Sequence, residues 1–200
     1  MTNSVQARGW ISRMRLRETC AVLTLAVGVA TQSAQAQTYT ILHSFTGGAD
    51  GGASRAGLVL EANGNLYGTA AGGGSGAGTV FKVNAYRKLT VLHTFTGQVD
   101  GASPYGGLIR DSYGNFYGTT VGGGAYGYGT VFKLTKSGEE SILYSFSGGA
   151  DGGWPYAGLV MDADEDSLYG TTNIGGALGF GTVFEVNPTK PRSEDTQHLE

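Results

Sequence analysis

Cysteine and basic residues are scarce in this sequence, and each scarcity excludes a class of protein. Cys20 is the only cysteine among 200 residues, so no disulfide can form within one chain. The fold must therefore be held together by packing and backbone pairing. After residue 36 the chain carries nine basic and 15 acidic residues, a net charge of −6. That balance argues against nucleic acid as a partner, because such binding rests on Lys and Arg meeting phosphates.

Long apolar runs and helical periodicity are also missing. No stretch after residue 36 has the 3.6-residue apolar period of a helix. The apolar run at 20–30 is shorter than the ~20 residues that cross a bilayer. Ala34 and Ala36 follow it in a small-x-small pattern, and four basic residues precede it: Arg8, Arg13, Arg15 and Arg17. This order predicts a signal peptide (residues 1–36) cleaved after Ala36, and hence a secreted or cell-envelope protein. The alternative is an uncleaved N-terminal anchor.

Glycine, in contrast, is abundant and recurs in register. The strand-like motif "GTVFKV" at 78–83 returns as "GTVFKL" at 129–134 and "GTVFEV" at 181–186, at steps of 51 and 52 residues. The chain accordingly contains three copies of one unit, the repeats, at 41–83, 91–134 and 142–186. A period near 50 suits a unit of several secondary elements, as in propellers or solenoids.

Each repeat predicts four short strands. In "LTVLHTF" (89–95) the alternation places Val91 and His93 on one face and Leu92 on the other. In the last strand of each repeat, a phenylalanine lies beside a position that accepts either charge sign and is therefore solvated. We expect these phenylalanines to point into the core: Phe81, Phe132 and Phe184.

Turn residues separate the first two strands of each repeat. In the first repeat Asn63-Gly64 favours a tight hairpin, because both residues tolerate positive φ. The third repeat has "DADEDS" (162–167) at that place, one residue longer, which predicts a wider loop.

These patterns predict an all-β, propeller-like array of three four-stranded antiparallel repeats over residues 38–187, followed by a disordered polar tail (188–200). The opening stretch "YTILHSF" (39–45) matches the strand that closes a repeat, so we expect it to complete the last one. Propellers typically have ~4–8 blades. Three blades therefore indicate either a homodimer that completes a six-bladed ring or a fragment of a longer array.

The repeats resemble the GloVer tandem repeat of exported bacterial "choice-of-anchor" proteins. The resemblance rests on "LHSFTGGADG", "AGLVLEANGNLYGTAAGGG" and "GTVFKV" with their sister copies, and covers roughly residues 39–187. It implies an exported, propeller-like repeat protein, and it supplies no established catalytic residues.

Carboxylates that recur once per repeat are the first candidates for chemistry: Asp50, Asp100 and Asp151. An Asp before Gly commonly bonds its own backbone to set a turn, and we favour that interpretation over catalysis. His43 and His93 give way to Tyr144 in the third repeat, which suits a half-buried aromatic position better than a metal ligand. We predict no catalytic residue, no metal site and no cofactor.

Aromatic residues that vary between repeats are the remaining candidates. They lie in two glycine-rich loops per repeat: Tyr105, Tyr126, Tyr128, Trp154, Tyr156 and Phe180. Function concentrates on loops held by a rigid scaffold. We therefore predict a ligand site at Tyr105, Trp154 and Tyr156, in a non-catalytic surface module that binds a polysaccharide or a protein. The alternatives are aromatics that only shield blade edges, and a glycan-active propeller enzyme, a hydrolase or lyase.

Overall fold

The computed structural model of the protein describes residues 37–188. The predicted signal peptide with its cleavage site after Ala36, and the predicted tail beyond residue 188, lie outside the described residues. The chain divides into two units, Met1–Tyr39 and Thr40–Glu200, and the fold described below belongs to the second.

Three antiparallel sheets follow one another along the chain. Sheet 1 contains β1 (Val59–Leu60), β2 (Leu66–Ala70), β3 (Thr79–Val83) and β4 (Leu89–Thr94). Sheet 2 contains β5 (Ile109–Arg110), β6 (Phe116–Thr120), β7 (Thr130–Leu134) and β8 (Glu140–Ser145). Sheet 3 contains β9 (Val160–Met161), β10 (Leu168–Thr171) and β11 (Val183–Val186). The predicted all-β, propeller-like array is confirmed, with one sheet for each repeat.

Residues 37–188 include no helix that is long and apolar enough to span a membrane.

The hairpin turns form where the sequence predicts them. In the first repeat the Gly64 amide donates to the Glu61 carbonyl at 2.9 Å, and Gly64 adopts a φ of +82° that favours glycine. In the third repeat six residues, 162–167, separate β9 from β10, and the amide of Asp162 donates to the carbonyl of Ser167. The wider loop is therefore confirmed.

A β-bulge corrects the simple alternation of the fourth strand. Val80 pairs with His93 whereas Phe81 pairs with Val91, so Leu92 is an extra residue in β4. The sequence alternation placed Leu92 on the face opposite Val91 and His93, in a strand with one buried face. Instead, Leu92 packs against a core cluster that includes Phe95 and Phe132. Period-two alternation fails here because the bulge shifts the register by one residue.

Phenylalanine pairs connect one repeat to the next. Phe95, the residue directly after β4, meets Phe132 edge-on at 5.2 Å between ring centroids, and Phe146 meets Phe184 at 5.0 Å. Phe81 and Phe132 are buried, and Phe184 packs against a second core cluster, as predicted. Edge-to-face contacts of this kind add about 0.5–1.5 kcal/mol each beyond burial, and so bind the sheets to one another.

The third sheet has three strands, so the prediction that residues 39–45 complete it within the chain is wrong for the described structure. Residues 41–46, the opening segment, are not in a strand. Phe45 packs on Phe81 of sheet 1 at 5.0 Å, in the arrangement that joins Phe95 to Phe132. The opening segment is therefore held at the sheet 1 end of the array.

Candidate functional site

Two glycine-rich loops of each repeat are joined into one layer. In the second repeat, Ala102 and Gly122 form an antiparallel bridge between the two loops, and Gly153 and Ile174 do so in the third. The loops approach closely: a side chain at Gly123 would lie 2.6 Å from the Cα of Gly101. Glycine is therefore required for this contact, which gives the loop residues a rigid base.

The recurring aspartates close the turns that begin the first loop of each repeat. Asp100 accepts a hydrogen bond from the Thr96 amide at 2.7 Å, and Asp151 accepts one from the Ser147 amide at 2.9 Å. Asp50 accepts from the Thr46 amide at 3.0 Å in the same way. These contacts are the ones that the turn interpretation predicts.

One position in each first loop adopts a left-handed backbone although it is not glycine: Ala53, Ser103 and Trp154, with φ of +53°, +54° and +54°. In the second and third repeats, a hydrogen bond from the amide of this residue to the preceding repeat holds its backbone in place. The Ser103 amide donates to the Ala77 carbonyl at 2.7 Å, and the Trp154 amide donates to the Tyr128 carbonyl at 2.9 Å. The backbone of Trp154 is therefore fixed across the boundary between repeats.

The residue two positions further on forms a line across all three repeats, which we name the stacking row: Arg55, Tyr105 and Tyr156. The Arg55 guanidinium carbon lies 4.9 Å from the Tyr105 ring centroid, a cation–π contact. Tyr105 and Tyr156 have ring centroids 5.7 Å apart at an interplanar angle of 39°. One side chain from each repeat thus contributes to a single row.

Threonine side chains anchor the backbone beside the stacking row. Thr69 Oγ1 donates to the Gly106 carbonyl at 3.0 Å, and Thr119 Oγ1 donates to the Ala157 carbonyl at 2.9 Å. Gly106 and Ala157 directly follow the two tyrosines of the row. Each tyrosine is therefore positioned by the sheet of the preceding repeat.

The three predicted ligand residues fall into two ring contacts. Tyr105 and Tyr156 belong to the stacking row, whereas Trp154 pairs with Tyr128, ring centroids 6.4 Å apart. Tyr156 is 49% exposed and Trp154 is 38% exposed, so both offer surface to a ligand. Tyr105 is half-buried between its two neighbours in the row and acts mainly as their support. The sequence prediction missed Arg55, although its alignment with Tyr105 and Tyr156 was a usable signal.

A second group of ionisable residues lies between sheets 1 and 2. Glu140 occupies the place of Leu89 in the first repeat, and its Oε1 is buried without a hydrogen-bond partner. Burial, together with the negative charge of Asp100, raises the pKa of Glu140 to about 7. His93 Nε2 lies 3.7 Å from Asp100 Oδ2, and burial lowers the pKa of His93. Glu140 was not predicted from the sequence, although a charged residue at the position of Leu89 in the first repeat was a usable signal.

Within residues 37–188 no three or more His, Cys, Asp or Glu side chains cluster in a way that could hold a metal ion.

Comparison with known proteins gives a family. No curated protein sequence matches the chain. Among solved structures, a protein provisionally assigned as a gluconolactonase is similar at 18% identity and a TM-score of 0.39, over 66% of this chain and 47% of that one. The chain thus spans less than half the length of that solved protein. The sequence profile of the Gloeobacter/Verrucomicrobia repeat matches residues 27–198, which include all three repeats. The chain therefore belongs to the Gloeobacter/Verrucomicrobia repeat family, the GloVer repeats.

Proposed function

We propose that this protein is an exported, non-catalytic binding module whose loop aromatics hold a polysaccharide at the cell surface. The observation that carries the proposal is the stacking row, in which side chains from three repeats line up; Trp154, two residues before Tyr156 in the chain, adds a second exposed ring. Aromatic rings offer flat apolar faces, and the polar edges of Tyr and Trp suit hydroxyl-rich partners. A row of such groups favours an extended ligand over a compact one.

Rigidity supports a role in binding. The amide of Trp154 is bonded to the preceding repeat, and the adjacent Pro155 is buried. A side chain on a fixed backbone loses little conformational entropy when a ligand arrives. Within this site Trp154 and Tyr156 contact the ligand, and Tyr105 and Arg55 hold Tyr156 in place.

Binding is tested by co-sedimentation of the protein with insoluble cell-wall and extracellular polysaccharides. Tyr156→Ala should weaken binding about tenfold or more, since truncating an anchoring aromatic residue of a binding site costs about 2 kcal/mol or more. Tyr86→Ala is the matched control, because Tyr86 is 91% exposed and lies in the turn between β3 and β4. Equal loss in both variants, or none in Tyr156→Ala, would contradict the assigned site. Binding to a protein from the cell surface in place of any polysaccharide would overturn the ligand class.

Glu140 favours one alternative, a glycan-active propeller enzyme. A carboxyl group whose pKa is raised to about 7 by burial and by the charge of Asp100 has the protonation behaviour that a general acid needs. Glu140→Gln separates the two functions. A folded variant that loses turnover of a polysaccharide while still binding it would establish the enzyme, whereas the binding module shows no turnover in either form.

A further inference from the structure

We propose that the opening segment of a second copy of this chain forms the fourth strand of sheet 3, and that two copies thereby close a six-bladed ring. In this contact, residues 41–46 of one copy pair with the edge of β11 of the other copy. The inference is independent of the proposed ligand.

The edge of β11 has the features of an unoccupied strand position. Val80, Val131 and Val183 are equivalent in the three repeats. Val80 and Val131 are fully buried, with 0% exposure, whereas Val183 is 82% exposed. Val80 and Val131 each pair with a fourth strand and also lie in core clusters that include residues of the following sheet, whereas sheet 3 ends at β11. Unpaired edge strands of this kind readily accept another strand.

A cavity marks the place of the absent strand. It has a volume of about 280 Å³ and lies beside β11, where Tyr144, Phe146 and Asp151 also line it. The equivalents of these three residues one repeat earlier are His93, Phe95 and Asp100, and the charge of Asp100 acts on Glu140 of β8. A strand that occupied this cavity would pair with β11 as β8 pairs with β7.

The opening segment has the complementary features. Its sequence "ILHSFT" is equivalent to the end of β4 and of β8, which fill this position in sheets 1 and 2. Phe45 makes an edge-to-face contact with Phe81. This contact is equivalent to Phe95–Phe132 and Phe146–Phe184, whose first residues directly follow β4 and β8. Ile41 is 61% exposed, although its equivalents in β4 and β8 are partly buried. The segment therefore has the sequence and the phenylalanine contact of a fourth strand, but it is not paired in a sheet.

The strand pairing within the chain predicts the register of the contact between β11 and residues 41–46 of the second copy, which we name the joint. In sheet 2 Val131 pairs with Tyr144 and Phe132 with Ile142, with a bulge between them. Transferred to the joint, Val183 pairs with His43 of the second copy and Phe184 with its Ile41. Leu42 is then the extra residue of the bulge, as Leu92 is in β4.

A second copy fits better than another segment of the same chain. The opening segment of the chain itself is held on sheet 1 by Phe45, at the other end of the array from β11. Residues 187–200 contain Pro188 and Pro191 and lack apolar alternation, and proline disfavours a paired strand. Two copies supply six blades, within the ~4–8 of closed propellers, and both joints are identical under one two-fold axis.

Cysteine cross-linking between chains tests the joint directly. In a Cys20→Ser background, a His43→Cys chain is mixed with a Val183→Cys chain and oxidised under mild conditions. Paired cross-strand positions have Cβ atoms about 4.5–5.5 Å apart, close to disulfide geometry. We expect a covalent dimer that contains one chain of each kind, and a solution mass of twice one chain by light scattering. Val183→Cys should fold normally, since Val183 is 82% exposed.

A register control uses Ser44→Cys mixed with Val183→Cys. Ser44 is equivalent to Ser145, which pairs outside the bulge, so its side chain points to the opposite face from that of His43 and should cross-link at least about tenfold less. A chain that stays monomeric and forms no mixed cross-link would overturn the proposal. So would a disulfide that forms within one chain of the His43→Cys, Val183→Cys double variant, or an open polymer larger than a dimer.

Discussion

Val131 and Val183 hold the same position in successive repeats, yet Val131 is fully buried (0% exposed) and Val183 is 82% exposed. Val131 is covered by its pairing partner Tyr144 in β8, and sheet 3 has no such strand. The two valines therefore form an internal comparison between a position with a fourth strand and a following sheet and a position with neither.

Alanine substitution at these two positions should give unequal losses of stability. Val131→Ala should lower the free energy of unfolding by about 1–3 kcal/mol, because it removes two buried methyl groups and leaves a cavity. In dilute solution Val183→Ala should cost less than about 0.5 kcal/mol, as for other exposed positions. Denaturant titrations at several protein concentrations measure both. The cost at Val183 should grow with concentration if a second copy covers it, and equal losses at both positions in dilute solution would be inconsistent with an open edge.

A glycine in the middle of β6 should not tolerate a side chain. A Cβ atom at Gly118 would lie 2.7 Å from Cζ of Phe132, its pairing partner in β7, so the ring would have to move. Gly118→Ala should cost about 1–3 kcal/mol through overpacking. Gly57→Ala is the control, since nothing lies within 4 Å of its Cβ position. Thermal unfolding of both variants tests this, and an unchanged Tm for Gly118→Ala would contradict the packing described.

Glu140 should make stability fall as pH rises. Its pKa is raised from 4.5 to about 7 by burial and by Asp100, so the folded state binds the proton more tightly than the unfolded state. Between these two values the unfolded chain carries fewer protons, and stability therefore declines with pH across that window. Glu140→Leu, which introduces the residue of the first repeat, should remove the decline and add on the order of 1–3 kcal/mol above pH 7.

His93 acts in the opposite direction over part of this range, because burial lowers its pKa from 6.5. The difference between wild type and Glu140→Leu, measured by urea unfolding from pH 4 to 8, isolates the carboxyl group. A difference that does not change with pH would show that Glu140 ionises normally in the folded protein.

Asp151 should stabilise its turn without contributing to any turnover. Besides the Ser147 amide, its carboxylate accepts a hydrogen bond from the Tyr144 hydroxyl at 3.0 Å. Burial alone would raise the pKa of Asp151, but its hydrogen bonds, including those from Ser147 and Tyr144, together outweigh burial and lower it. Asp151→Ala should cost about 1–2 kcal/mol, since several donors lose their acceptor. Asp164→Ala, at an exposed position of the β9–β10 loop, should be close to neutral. A neutral Asp151→Ala would exclude the turn role.

The sequence predicted the sheets well because their signals are local. Alternating apolar residues located β3 and β7, and the Asn63-Gly64 dipeptide located a hairpin. The burial of Phe81 was predicted as well, but its neighbour Val80, on the opposite side of β3, is also fully buried, so this strand is covered on both sides. The bulge at Leu92 escaped this reasoning, because strand register is decided by pairing with another strand.

Features that depend on contacts between repeats were harder to predict. Tyr105 and Tyr156 were recognised as variable aromatics, but the contribution of Arg55 appears only when the sheets stand side by side. The exposed edge at Val183 depends on where residues 41–46 dock, which is a property of the whole array. Aligning the three repeats with one another is the signal from which both the role of Arg55 and the exposed edge at Val183 could be predicted.

Trp154→Gly should separate binding from folding. The φ of Trp154 is +54°, a conformation that costs a non-glycine residue about 1–2 kcal/mol and glycine much less. The variant should therefore be as stable as the wild type within about 1 kcal/mol, while polysaccharide binding falls by about tenfold or more. Unfolding curves and co-sedimentation measured on one preparation decide this. A variant that loses both properties together would show that the ring of Trp154 is a structural element.

The most direct test of the proposed function uses Trp154 as its own reporter. The chain has two tryptophans, Trp10 and Trp154, so Trp10→Phe leaves fluorescence from the proposed site alone. This protein is titrated with soluble cell-wall and extracellular polysaccharides. Because Trp154 is 38% exposed, a sugar ring stacked on it should shift its emission to shorter wavelength in a saturable manner, and Tyr156→Ala should weaken that response. Saturable polysaccharide binding, measured independently by calorimetry, with no change in Trp154 emission would contradict the account.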